Sequence, residues 1–68
     1  MEITLNNRKE ILEDFATLSI ADLIKLKNFT FKFLAVRLNG KPIKPDEFDT
    51  TLVKGGDTVI VMHLISGG

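Results

Sequence analysis

Only one stretch of this chain long enough to exceed a single turn repeats its apolar positions at helical spacing: Ile20, Leu23, Ile24 and Lys27, the last contributing its aliphatic stem. Ser19 precedes it in a Ser-x-x-Asp arrangement, so its hydroxyl can accept from the amide of Asp22 while the carboxylate answers back. Leu18 can staple onto Leu23, Lys25 and Lys27 complement the C-terminal end of the dipole, and Asn28 offers a left-handed stop. The spacing predicts a helix over roughly 20–27. A helix this short has one apolar stripe to hide, and everything around it reads as strands or turns, so the chain is expected to be α+β, with a mixed sheet of four to five strands packed on a single helix.

The 68 residues make one domain, 1–68, and a chain of this size buries only about 60% of the surface it exposes when unfolded, which leaves no room for a deep substrate cleft. Hydrophobic residues at 44% and charged ones at 26% place it among ordinary globules rather than disordered segments. Nine basic residues balance nine acidic ones, so no excess positive field draws nucleic acid or anionic lipid. Cysteine is absent, which removes disulfides and thiolate sites and suits a reducing cytoplasm. Met1-Glu2-Ile3-Thr4 lacks a secretory n-region and h-region, and no apolar run reaches the roughly 18 residues of a membrane span. The chain is expected to be soluble, unprocessed and cytoplasmic.

Polar and apolar residues alternate through Glu2-Ile3-Thr4-Leu5-Asn6, a half-buried strand with Ile3 and Leu5 on one face. Asn6 and Asn7 tolerate left-handed dihedrals, and a second strand over 9–15, with Ile11 and Phe15 in one phase, completes a hairpin. After the helix, Phe31 and Phe33 share one phase and Leu34, Val36 and Leu38 the other, and at least two of the rings of Phe29, Phe31 and Phe33 are expected in the core. Asn39-Gly40 is the strongest hairpin signal in the sequence. Pro42 and Pro45 confine the segment 41–45 to an edge strand, Pro45-Asp46-Glu47-Phe48 suits a single helical turn anchored by Phe48, and 50–53 is ambiguous. Lys54-Gly55-Gly56-Asp57 is a tight turn. The apolar run 58–64 then reads as a central strand covered on both faces, from which the tail leaves directly. Either Val59 and Val61, or Ile60, Met62 and Leu64, must pack under the helix, and the other set can meet a partner.

The tail itself is Ile65-Ser66-Gly67-Gly68. Without a Cβ, a glycine pair enters channels too narrow for a side chain and presents a bare carboxylate, which is inert until its oxygen becomes a good leaving group. The bland reading is a frayed terminus. His63 is the only histidine and has no second ligand at metal spacing, so it reads as a structural or partner-contact residue. Asp57 beside two glycines reads as turn chemistry, and Lys54-Gly55-Gly56 lacks the phosphate-loop pattern. Glu10, Glu13 and Asp14 form an acidic group and Lys25, Lys27 and Lys32 a basic one, both read first as solvated faces.

Strand, strand, helix, strand, a proline-broken connection and a last central strand are the β-grasp, or ubiquitin-like, order. Ile3-x-Leu5-Asn6, Ser19-Ile20-Ala21-Asp22-Leu23-Ile24, Ala35-Val36-x-Leu38-Asn39-Gly40, Gly56-Asp57 and Gly67-Gly68 together resemble the ThiS family, the sulfur carriers of thiamine biosynthesis, over the whole chain. The resemblance implies that Gly68 is adenylated and converted to a thiocarboxylate, with Gly67, Ser66 and Ile65 recognised as the tail. It implies three partners: an E1-like, ThiF-like adenylating enzyme that uses ATP, a sulfur donor such as a cysteine desulfurase, and a ThiG-like thiazole synthase. The chain would then bind no cofactor or metal and would not be an enzyme; Val59, Val61 and His63 are the expected partner surface. Two other readings stay open: the related molybdopterin synthase small subunit, and a ubiquitin-like interaction domain in which the glycines are incidental. An RNA-contacting β-grasp module is disfavoured by the zero net charge.

Overall fold

The computed structural model describes residues 1–29 and 34–63. Its elements, in chain order, are β1 (Glu2–Leu5), β2 (Arg8–Ile11), β3 (Thr17–Ser19), α1 (Ile20–Leu26), β4 (Leu34–Leu38), β5 (Lys41–Ile43), a 3-10 turn (Pro45–Glu47), β6 (Leu52–Lys54) and β7 (Thr58–His63). Five strands form one sheet in the order β2-β1-β7-β4-β5, in which β1 and β7 are parallel and the other neighbours antiparallel. β3 and β6 make a separate two-stranded ribbon.

Asparagine sets the turns. Asn6 and Asn7 take φ of 51° and 67° between the paired residues Leu5 and Arg8, and Asn39 and Gly40 take 51° and 83° between Leu38 and Lys41. Two consecutive left-handed residues match the twist of the strands they join, which makes both hairpins tight. β5 carries Pro42 and lies at the sheet edge, where a missing donor does no harm.

Helix α1 begins and ends as its sequence dictates. The Asp22 amide donates to Ser19 Oγ at 3.0 Å, although the reciprocal bond from the Asp22 carboxylate does not form. At the other end Asn28 adopts φ 59°, and the amides of Phe29 and Asn28 donate to the carbonyls of Ile24 and Lys25 at 2.9 and 3.1 Å. This pair of bonds is the Schellman arrangement, with asparagine in the usual place of glycine. Ile20 and Leu23 of α1 sit on Ile3 and Leu5 of β1, Val36 of β4 and Val59 and Val61 of β7, and Leu18 and Val53 of the ribbon close the side of this core. Phe15, Phe29 and Phe48 are half-buried against it.

Three expectations change. The second strand stops at Ile11, which pairs with Glu2 and lies 61% exposed on the outer face. The chain leaves the sheet there because the Met1 ammonium donates to the carbonyls of Leu12 and Phe15 at 2.7 and 2.8 Å, drawing 12–15 into a loop. Ile11 and Phe15 therefore do not share a face. The ribbon went unforeseen: Thr17–Ser19 was not expected to be a strand, and the ambiguous segment after Thr50 resolves into β6. Finally, β7 is central, but among the described residues the core covers one of its faces, and Met62 lies 43% exposed on the other. Of the Phe29, Phe31 and Phe33 rings, those of Phe31 and Phe33 lie outside the described residues.

Candidate functional site

β7 is the strand that leads to the chain end, and it is held on both sides. Against β4 it pairs from Leu38↔Val59 through to Leu34↔His63. Against β1 the register is Thr4↔Thr58 and Leu5↔Val59, after which β1 turns away into its hairpin. Asn6 continues the pairing with its own atoms: its amide donates to the Val59 carbonyl at 2.9 Å, and its Oδ1 accepts from the Val61 amide at 2.8 Å. A side chain thus stands in for the next residue of β1, so β7 stays satisfied nearly to its end.

The start of β7 is fixed by Asp57. This carboxylate is buried, at 7% exposure, and accepts from the Lys54 amide (2.9 Å, Oδ2) and from Asn39 Nδ2 (3.1 Å, Oδ1), while Asn39 Oδ1 accepts from the Thr58 amide at 2.8 Å. Gly56 at φ 89° makes the turn a left-handed one. Asp57 and the Lys54-Gly55-Gly56 segment are therefore turn chemistry, as the sequence indicates. The link to Asn39 was not visible in the sequence, since the two residues are eighteen positions apart.

The partner surface expected at Val59 and Val61 is corrected. Val59 is fully buried and Val61 nearly so, both under α1, because the odd positions of β7 share the face of Val36 and Ile3. His63 is exposed at the end of the strand. What β7 shows to solvent is its even phase, the half-buried Ile60 and the exposed Met62, paired with Arg37 and Ala35 of β4. The continuous apolar run concealed which phase was which. Leu64 and the tail residues Ile65, Ser66, Gly67 and Gly68, expected to be mobile without a partner, lie outside the described residues.

A groove between the 12–15 loop and the C-terminal end of α1 is lined by Leu12, Phe15, Leu26 and Lys27 together with two carboxylates, with Ile11 at the strand end also lining it; its lining offers no hydroxyl, thiol or imidazole. Among the described residues no three His, Cys, Asp or Glu side chains stand together as a metal site, and no helix is long and apolar enough to cross a membrane.

A mixed sheet with β1 and β7 parallel at its centre, one helix across it and a central last strand defines a β-grasp protein. A family model described as the ThiS family matches residues 1–68, and the chain belongs to that family. It is similar to the thiamine biosynthesis protein ThiS from Geobacter metallireducens, whose crystal structure shares 30% identity and a TM-score of 0.88 over 100% of each chain. It is similar also to the solution structure of a thiamine biosynthesis protein from the same organism, at 30% identity and a TM-score of 0.78, over 100% of this chain and 88% of that one. No curated protein matches the chain.

Proposed function

We propose that this chain is a sulfur carrier for thiazole formation in thiamine biosynthesis, that Gly68 bears the sulfur, and that the chain is a co-substrate rather than an enzyme. The ThiS family match over residues 1–68, which takes in Gly67 and Gly68, carries the reading. The Gly68 carboxylate attacks the α-phosphorus of ATP in an adenylating partner, pyrophosphate leaves, and the acyl carbon now carries adenylate as its leaving group. The terminal sulfur of a donor persulfide, such as that of a cysteine desulfurase, attacks the acyl carbon and AMP leaves. A thiol then reduces the resulting acyl disulfide, releasing the donor thiol and a thiocarboxylate, which a thiazole synthase consumes. Gly67, with no Cβ, gives the tail the slender profile a closed active site admits, and Ser66 and Ile65 are recognised with it. The carrier supplies reach and recognition, which suits a domain whose last strand is pinned on both sides. Its partner surface in this reading is the outer face around Ile60, Met62 and Arg37, with His63 beside the tail.

The test is an intact-mass measurement after incubation with ATP, an adenylating enzyme and a sulfur donor. The carrier gains the mass of one oxygen exchanged for sulfur, located on Gly68. A variant lacking Gly68 stays folded and gains nothing. An unchanged mass in the parent chain, with the partner enzyme shown to be active on another carrier, overturns the reading.

A further inference from the structure

We propose that Asn39-Gly40 is a deamidation site that the fold holds shut, so that it reacts only when the β4–β5 turn opens. Asn39 is the one asparagine in the chain followed by glycine. With no Cβ, a glycine leaves its backbone nitrogen unhindered, which makes such pairs the most reactive toward this chemistry. The reaction is intramolecular. Hydroxide removes the amide proton of Gly40, the nitrogen attacks Cγ of Asn39, and as the new C–N bond forms the Cγ–Nδ2 bond breaks. Nδ2 leaves as ammonia with protons from water, and water then opens the five-membered succinimide at either carbonyl. Position 39 ends as aspartate or isoaspartate, with water and hydroxide the only co-reactants.

Access of water does not limit this site. Asn39 and Gly40 are exposed, and nothing lies within 4 Å of where a Gly40 Cβ would stand. Direction limits it. Asn39 Nδ2 donates to Asp57 Oδ1 at 3.1 Å, Oδ1 accepts from the Thr58 amide at 2.8 Å, and the Asn39 amide donates to the Thr58 carbonyl at 2.7 Å. Both ends of the carboxamide are held on the start of β7. Cγ cannot swing forward onto the Gly40 nitrogen unless both bonds break, and the turn itself is fixed by the Leu38↔Lys41 pairing.

The product does not refit. Aspartate at 39 keeps the acceptor for Thr58 but puts an oxygen where Nδ2 stood, against the buried carboxylate of Asp57. Isoaspartate lengthens the backbone of a turn that has no spare residue. Each opening that reacts is therefore recorded as a chain that closes less well.

The experiment follows the intact mass and peptide map of the full chain aged in mildly alkaline buffer, native and in guanidinium chloride. The unfolded chain is expected to react at Asn39 ahead of Asn6, Asn7 and Asn28, and the native chain at least about tenfold more slowly at the same position. Equal rates, or a faster native reaction, overturn the proposal. In a second arm Asn39→Asp lowers the melting temperature, and the double exchange Asn39→Asp with Asp57→Asn recovers most of the loss by restoring one amide facing one carboxylate. An Asn39→Asp chain as stable as its parent overturns the claim that the product does not refit.

Discussion

Lys27, at the C-terminal cap of α1, donates from Nζ to Glu10 Oε1 at 2.9 Å, tying the helix to the edge strand β2. Glu10 stands opposite Ile3, on the side of the sheet that faces the helix, and both side chains of the pair remain about 30% exposed. The sequence placed these residues in separate acidic and basic groups on solvated faces; the fold brings one of each together.

Partial burial sets the size of the effect. The coupling between Glu10→Gln and Lys27→Met in a double-mutant cycle is expected at about 0.5–1 kcal/mol, read by urea denaturation and reduced in high salt. The Lys9 and Glu2 pair, longer at 3.7 Å and more than half exposed, is the control, and its coupling should be indistinguishable from zero. Equal coupling in the two pairs would show that burial does not decide.

The two phases of β7 make a second prediction. Val61→Ala empties part of the core and is expected to cost about 1–2 kcal/mol, whereas Met62→Ala, one residue along but on the open face, should stay within about 0.5 kcal/mol. Under the proposed function the order reverses in a binding assay. Met62→Ala then weakens adenylation by the partner enzyme, and Val61→Ala, once folded, does not. A Met62 variant that loses stability but not adenylation would mean that the open face is not the partner surface.

A third prediction concerns the helix stop. Asn28 is held at φ 59°, a region that asparagine's short polar side chain tolerates better than alanine, so Asn28→Ala should destabilise by about 1 kcal/mol while Asn28→Gly is neutral or slightly stabilising. Chemical denaturation of the two variants decides it. If both lose stability equally, the asparagine side chain and not its backbone angle is what matters there.

Local signals carried most of the fold. Ser19, Asn28, Asn39-Gly40 and Pro42 each act within a few residues, through a cap, a left-handed dihedral or a missing donor, and each stands in the structure where its chemistry places it. What the sequence did not disclose depends on distance. Thr17–Ser19 is too short to show a period, and it becomes a strand only because β6 lies opposite. Ile11 reads as sharing a strand face with Phe15 until the Met1 ammonium is seen to draw the adjoining loop out of the sheet. In β7 the apolar residues of both phases hid which set was inside, so Val59 and Val61 were assigned to a surface they do not reach. The glycine pair at the end remains a matter of chemistry rather than of packing.

Asn6 does two jobs that substitution can separate. Its φ of 51° shapes the first hairpin, and its Oδ1 accepts from the Val61 amide at 2.8 Å on the strand that leads to the chain end. Asn6→Gly keeps the backbone angle and deletes the acceptor, leaving the Val61 amide without a protein partner on that side. The expected loss is about 1 kcal/mol in overall stability, the usual net worth of one hydrogen bond. Native-state hydrogen exchange localises it: the Val61 amide should exchange markedly faster in Asn6→Gly, while that of Val36, on the far side of β7, tracks only the global change. Asn6→Asp preserves the acceptor and should leave the Val61 amide protected. Exchange at Val61 that is unchanged in Asn6→Gly would mean that β7 does not depend on this side chain, and that its pairing with β4 alone holds the base of the tail.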